Sequence, residues 1–173
     1  MNYINISIIM SKIKAINDVS DLIAIFHASD NEIKKNLFAD LSKGWITEEE
    51  IKNKYGEEGL KSLKYFERIK FVETQWILTK EGKRSIAYRT YYDTVQINIT
   101  VPISDMPEII YASTMPDEKV KEYEKKILEI LGSRKSVYIG DVQNALNISM
   151  ILLKGIVKRS ESLEIKGHNI ERD

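Results

Sequence analysis

Apolar positions along the chain change their period several times, and each change marks an element. Between Asp18 and Phe26 the residues Leu22, Ile25 and Phe26 recur at helical spacing, which predicts a first helix with these three turned inward. In "SDNEIKKNLFADLSK" Ser29 or Asp30 supplies an N-cap, Ile33, Leu37, Phe38 and Leu41 form a second stripe, and Gly44 stops the helix. "WITEEEIKNKYG" sets Thr47 three residues before Glu50, the spacing of a capping box, and puts three glutamates at the positive end of the helix dipole. Ile51 and Tyr55 face inward, and Gly56 ends this short helix. Another starts near Glu57, with Leu60, Leu63 and Phe66 as its buried stripe and Glu57, Glu58, Lys61, Ser62, Tyr65 and Arg68 outward.

Two short helices joined by so tight a turn read as a helix-turn-helix. "IKFV" and "WIL" are β-prone and separated by "ETQ", which predicts a short hairpin. Thr79 is then expected to cap a helix running through Ala87 towards Tyr91. In "DTVQINITVPI" Val95, Ile97, Ile99 and Val101 alternate with polar residues, a strand whose partner lies either elsewhere in the chain or across a dimer. Pro102, Pro107 and Pro116 mark a linker. Behind Pro116 a helix carries Val120, Tyr123, Ile127, Ile130 and Leu131 inward and ends at Gly132.

The last segment repeats the first. A short helix (Ile139, Val142, Leu146 inward), a turn at Asn147, a second helix (Leu152, Leu153, Ile156 inward) and a hairpin across Lys166-Gly167-His168 follow in order. Ile51, Leu60 and Leu63 stand 91 to 93 positions before Val142, Leu152 and Ile156. The expected fold class is therefore mainly α with small β-hairpin wings (α+β), a winged helix-turn-helix in two tandem units. The expected division is an N-terminal segment 1–17, a winged-helix domain 18–101, a linker 102–116 and a second winged-helix-like domain 117–173.

Composition narrows the function. The 173 residues are 43% hydrophobic and 30% charged, and no apolar run approaches the roughly 20 residues that span a bilayer. "MNYINISIIM" lacks a basic n-region and a small-residue cleavage site, so no signal peptide is read, a cytoplasmic protein is expected, and Met10 is an alternative start to Met1. The absence of cysteine excludes disulfides, thiolate catalysis and Cys-based metal sites. Net charge is zero, yet it is segregated. From Glu57 to Arg89 eight basic residues oppose five acidic ones, from Ser133 onward seven oppose five, and from Thr90 to Pro116 there are three acids and no base.

The stretches "ASDNEIKKNLF", "LKSLKYFERIKFVE" and "ILTKEGK" resemble the ArsR family of winged-helix transcriptional regulators over roughly residues 18 to 92. The tandem arrangement is similar to archaeal ArsR-related regulators. The resemblance implies a DNA-binding regulator, often a homodimer reading a two-fold site. The family's metal-sensing members use cysteines, so metal sensing is not implied here. Glu57 and Glu58 depart from the donors expected at the start of a recognition helix.

A recognition helix enters the major groove, where base edges specify sequence while phosphate contacts supply affinity. The expected DNA contacts are Lys61, Ser62, Lys64, Tyr65 and Arg68 on that helix, Thr74 and Gln75 on the wing, and Lys80, Lys83 and Arg84 along the backbone. Ser149, Lys154, Lys158 and Arg159 are the matching candidates in the second unit, which otherwise serves dimerisation or packing. Tyr88, Tyr91 and Tyr92 beside Arg89 read as packing rather than as a stacking platform for bases. His27 and His168 have no metal-ligand spacing, and Glu48 to Glu50 read as dipole compensation. No catalytic set, phosphate loop, cofactor motif or metal site is found, and an enzyme is not expected. The partners expected are double-stranded DNA and a second copy of the chain, with no membrane and an unknown small-molecule effector. The alternative is a protein–protein adaptor built on tandem winged helices.

Overall fold

The computed structural model describes residues 11–79 and 82–173. The expectations about Met1 to Met10 and about Lys80 lie outside the described residues.

The N-terminal half runs β1 (Ile13–Ile16), α1 (Val19–His27), α2 (Glu32–Leu41), β2 (Ile46–Thr47), α3 (Glu48–Arg68), β3 (Val72–Leu78), β4 (Arg84–Thr90) and β5 (Thr94–Ile97). A 3-10 turn at Ile103–Asp105 leads to α4 (Met106–Thr114), α5 (Asp117–Leu131), β6 (Ser136–Tyr138), α6 (Ile139–Leu146), α7 (Met150–Arg159), β7 (Leu163–Lys166) and β8 (Asn169–Arg172). The fold is α+β with small sheets: β1-β5, β2-β4-β3 and β6-β8-β7. Among the described residues, no helix is long and apolar enough to cross a membrane.

Local chemistry sets many of the helix ends. Asp18 caps α1 by accepting from the Ser20 amide. Asn31 caps α2, in place of the expected Ser29 or Asp30. Thr47 and Glu50 form the reciprocal capping box of α3. Gly56 breaks α3 with φ +67°, a conformation costly for any residue with a Cβ, so α3 is two helices hinged there. Asp40 of α2 accepts from Lys54 and Tyr55 just before that hinge, and these contacts hold its carboxyl at about 2. Asn147, left-handed at φ 51°, ends α6, and Ser149 caps α7.

Several expectations are corrected. The "ETQ" stretch is not a turn but the middle of β3, which pairs with β4 from Val72–Thr90 to Leu78–Arg84. The helix expected from Thr79 to Tyr91 is β4, the central strand of its sheet, lying between β2 and β3. Its Ala87 and Tyr88 are buried by that position, and Gly82, with φ +74°, lies in the turn before it. The strand at Val95 finds its partner within the chain: Thr94–Ile97 pairs in parallel with Ile13–Ile16, inside the segment expected to stand apart at the N-terminus. Residues 102–116 are not an irregular linker, because α4 there buries Ile109, Ala112 and Ser113. Phe26 is 40% exposed, and Ile23 takes the inward place instead.

Two hydrophobic cores result. One gathers Leu37, Leu41, Ile51, Leu63, Tyr65, Phe66 and Tyr88 from α2, α3 and β4. The other gathers Ile127, Leu131, Leu153, Ile156 and Ile170 together with Ile16, Leu22 and Ile23. Thus α1, expected in the first unit, packs on α4 and α7 and joins the second core.

Candidate nucleic-acid interface

The part of α3 that follows Gly56, residues 57–68, is buried along two sides. Leu63 and Phe66 point into the first core. Ser62 is buried and donates to the Glu58 carbonyl at 2.8 Å, so it does not face outward as expected. Tyr65 is also buried, donates its hydroxyl to the Ala24 carbonyl of α1 at 2.9 Å, and meets His27 edge-on at 4.8 Å. Burial pushes the Tyr65 phenol above its ordinary value, so it stays a neutral donor.

Arg68 is turned toward the second core. Its guanidinium donates to the carbonyls of Lys158, Arg159 (2.9 Å) and Ser160 at the end of α7. Those carbonyls lack intrahelical partners, so a cation there satisfies acceptors and complements the dipole. Burial lowers the pKa of Arg68 from its ordinary value, against the opposing pull of Tyr65 and Glu161. Of the five helical residues expected to reach DNA, Lys61 and Lys64 are the ones exposed. Lys61 pairs with Glu58 at 2.6 Å, which raises its pKa. Glu57, Glu58 and Glu67 share this exposed surface, and burial followed by the nearby Glu48 pushes the Glu67 carboxyl up.

The hairpin β3–β4 lies beside this helix. Thr74, Gln75, Lys83 and Arg84 are exposed. Arg89 is committed at the base: its guanidinium stacks 4.6 Å from the Trp45 ring and donates to Glu73 at 2.7 Å. Burial raises the Glu73 pKa, but Arg89 and Lys12 outweigh it and hold the carboxyl below its usual range. Tyr88 is buried, Tyr92 packs edge-on to Phe71, and Tyr91 lies beneath Lys12 at 4.0 Å.

The second helix pair is arranged otherwise. Leu152, Leu153, Gly155, Ile156, Val157 and Arg159 of α7 are all buried. A Cβ on Gly155 would stand 3.0 Å from the Ala112 side chain and 3.1 Å from Ile23, so α4 and α1 both press on this helix. Its cations are paired within the chain: Lys154 with Asp18 at 3.0 Å, Lys158 with Asp21 at 2.9 Å, and Arg159 with Asp117 at 2.7 Å. Arg159 also donates to the Ala112 and Ser113 carbonyls. Ser149 accepts from the Leu152 amide as a cap. Of the four second-unit candidates, Arg159 is buried and Ser149 caps α7, while Lys154 and Lys158 are half-buried and pair with acids of α1 and its cap.

A polar junction between the cores was missed by sequence reasoning. Buried His27 touches Asp30 at 2.6 Å and Lys34 at 3.1 Å, and Asp117 stands 3.9 Å away. Desolvation lowers the His27 pKa despite the Asp30 hydrogen bond, and Arg159 and Lys34 add to the lowering. The lone signal in the sequence was a histidine at the end of a helix. His168 lies at the exposed tip of the β7–β8 turn. Among the described residues, no group of three or more His, Cys, Asp or Glu is placed to hold a metal ion.

A family model described as ArsR transcriptional regulator matches residues 16–173. No curated protein matches the chain.

Proposed function

The chain belongs to the ArsR family of transcriptional regulators, and from that premise we propose that it is a sequence-specific regulator that binds duplex DNA with residues 57–68 of α3 and the β3–β4 wing. The observation that carries the reading is the helix pair hinged at Gly56, with Lys61 and Lys64 outward beside a hairpin bearing Lys83 and Arg84. Lys61 and Lys64 take the major groove, with Thr74, Gln75, Lys83 and Arg84 along the flanking backbone. Lys80 belongs to this set by its place in the sequence. Ser62, Tyr65 and Arg68 drop out as contacts and act as the frame that holds the helix.

The chain is read as two tandem winged-helix units. The order α2-β2-α3-β3-β4, with sheet order β2-β4-β3, is matched by α5-β6-α6-α7-β7-β8, with sheet order β6-β8-β7. The first unit meets DNA, and the second, with α1 and α4 laid over α7, carries it. A homodimer on a two-fold site in the cytoplasm completes the proposal.

The test is selection of fragmented genomic DNA on purified protein, with retention titrated at two salt concentrations. Enriched fragments sharing a near-palindrome and lost at higher salt support a dimeric regulator, with a slope of about −0.9 per phosphate contacted on a log–log plot. No enrichment even at low salt sinks the DNA reading and moves the function to a protein partner.

A further inference from the structure

The outer part of the β3–β4 hairpin carries an apolar surface that the described residues of the protein do not cover. Side chains on paired strands alternate between faces, so Thr74, Trp76 and Leu78 of β3 share a face with Arg84, Ile86 and Tyr88 of β4. At its inner end this face packs on the helices: Tyr88 is buried and Ile86 lies against the first core. The third strand, β2, pairs only with Ala87 and Tyr88. Beyond Ile86 the sheet is therefore a two-stranded arm, and the face that inside covers α3 looks outward beside it. On this arm Trp76 is 71% exposed and Leu78 73% exposed, exceeded among the large apolar side chains described only by Ile103.

Two neighbouring large apolar side chains left in water are a standing cost of a few kcal/mol that burial against a partner would recover. The surroundings select the partner. Arg84 stands directly across from Leu78 in the register, Lys83 adjoins it, and the described residues on this face of the arm include no acid. A cationic rim around an apolar centre complements a polyanion whose interior is stacked rings. A helix beside the arm occupies the major groove, so the arm meets the adjacent minor groove, where apolar side chains enter base steps and kink the duplex.

We propose that Trp76 and Leu78 form a wedge that enters the minor groove and partly unstacks one base step, with Arg84 on the neighbouring phosphates. This rests on the DNA-binding reading above and deepens it. Unstacking is least costly at pyrimidine–purine steps, so the wedge adds a preference for TA or CA/TG beneath the wing without any hydrogen bond to a base.

The experiment uses full-length protein and a duplex carrying the enriched sequence, labelled at both ends. Fluorescence anisotropy reads affinity, and energy transfer between the ends reads bending. A Trp45→Phe variant leaves Trp76 as the single tryptophan. Expected are a shortened end-to-end distance on binding, quenching of Trp76, and its protection from acrylamide. Trp76→Ala/Leu78→Ala should bind at least about ten-fold more weakly, each truncated contact being worth about 1 kcal/mol, and should leave the duplex straight with an unchanged salt slope. Trp76→Phe should restore bending. Both positions are exposed, so the double variant should keep the parent's urea midpoint. Undiminished binding and bending by the double variant would overturn the wedge while leaving the regulator reading intact. A solution dimer that the double variant dissociates would overturn it in favour of a second copy of the chain. If the wild type binds no duplex at any salt, the regulator reading falls and the wedge with it.

Discussion

The two helix pairs of this protein have a similar order of elements around them and end in opposite situations. Residues 57–68 of α3 bury two sides and leave Lys61 and Lys64 in solvent, whereas α7 is enclosed by α1, α4 and α5 and has its cations paired within the chain. The apolar stripe cannot predict this difference, because Leu63 and Ile156 look alike in their own helices. What decides it is the packing of α1, which lies before the first pair in sequence but covers the second in space. A helix of recognition type is available to a partner only if nothing else in the fold needs its outer face.

The comparison can be tested by substitution, beginning with the helix that should be structural. Leu153→Ala removes a fully buried side chain from the centre of α7 and should destabilise the protein by about 3 kcal/mol in urea unfolding. A loss below ~1 kcal/mol would show that α7 is not enclosed. Arg159→Ala strips the donors from the Ala112 and Ser113 carbonyls, and an unsatisfied buried acceptor costs about 1–3 kcal/mol, so a loss near 2 kcal/mol is expected. Little effect on either salt dependence or specificity of DNA binding should accompany these two changes, apart from that due to unfolded protein.

Arg68→Ala separates the frame from the interface. If Arg68 joins α3 to the end of α7, its loss should cost about 1–2 kcal/mol and spread the single unfolding transition into two, with the salt slope of DNA binding unchanged. A slope reduced by about 1 at full stability would return Arg68 to the phosphate contacts.

The junction adds a pH dependence. The folded-state pKa of His27 lies below the ordinary 6.5, so the unfolded chain takes up its proton first as pH falls. The stability tied to neutral His27 is complete above about pH 6.5 and is lost as pH falls towards the folded value. Asp30, whose pKa is also lowered, acts in a separate window below its ordinary 3.8. His27→Gln should therefore flatten the stability profile just below pH 6.5 and leave the more acid limb in place, as followed by urea midpoints across pH. A profile identical to the parent's would remove His27 from the linkage.

The smallest structural effect belongs to the exposed helix. Lys61→Ala and Lys64→Ala should leave the urea midpoint unmoved, weaken binding to the enriched sequence by about 1–3 kcal/mol, and narrow its margin over unrelated duplex. Equal affinity for both variants would place the interface elsewhere.

Features governed by neighbours in the chain were legible in the sequence. The Thr47–Glu50 capping box, the hinge at Gly56, the turns at Asn147 and Gly167 and the stripe of α5 each depend on a few consecutive residues, and each stands where it was expected. The exposure of Lys61 and Lys64 was legible for the same reason, because they lie opposite the Leu63–Phe66 stripe. Non-local pairing decided the rest. β4 is a strand because β2 and β3 flank it, although "KEGKRSIAYRTYY" alone permits a helix. Ser62, Tyr65 and Arg68 have polar tips and were assigned to solvent, yet α1 and the end of α7 offer carbonyls to Tyr65 and Arg68, and Ser62 bonds back into its own helix. The sequence by itself determined the capping box at Thr47–Glu50, the hinge at Gly56, the turns at Asn147 and Gly167, and the family to which the chain belongs. The tertiary structure alone decided which of two similar helices keeps a free face, because that depends on where a distant helix finds its apolar partner.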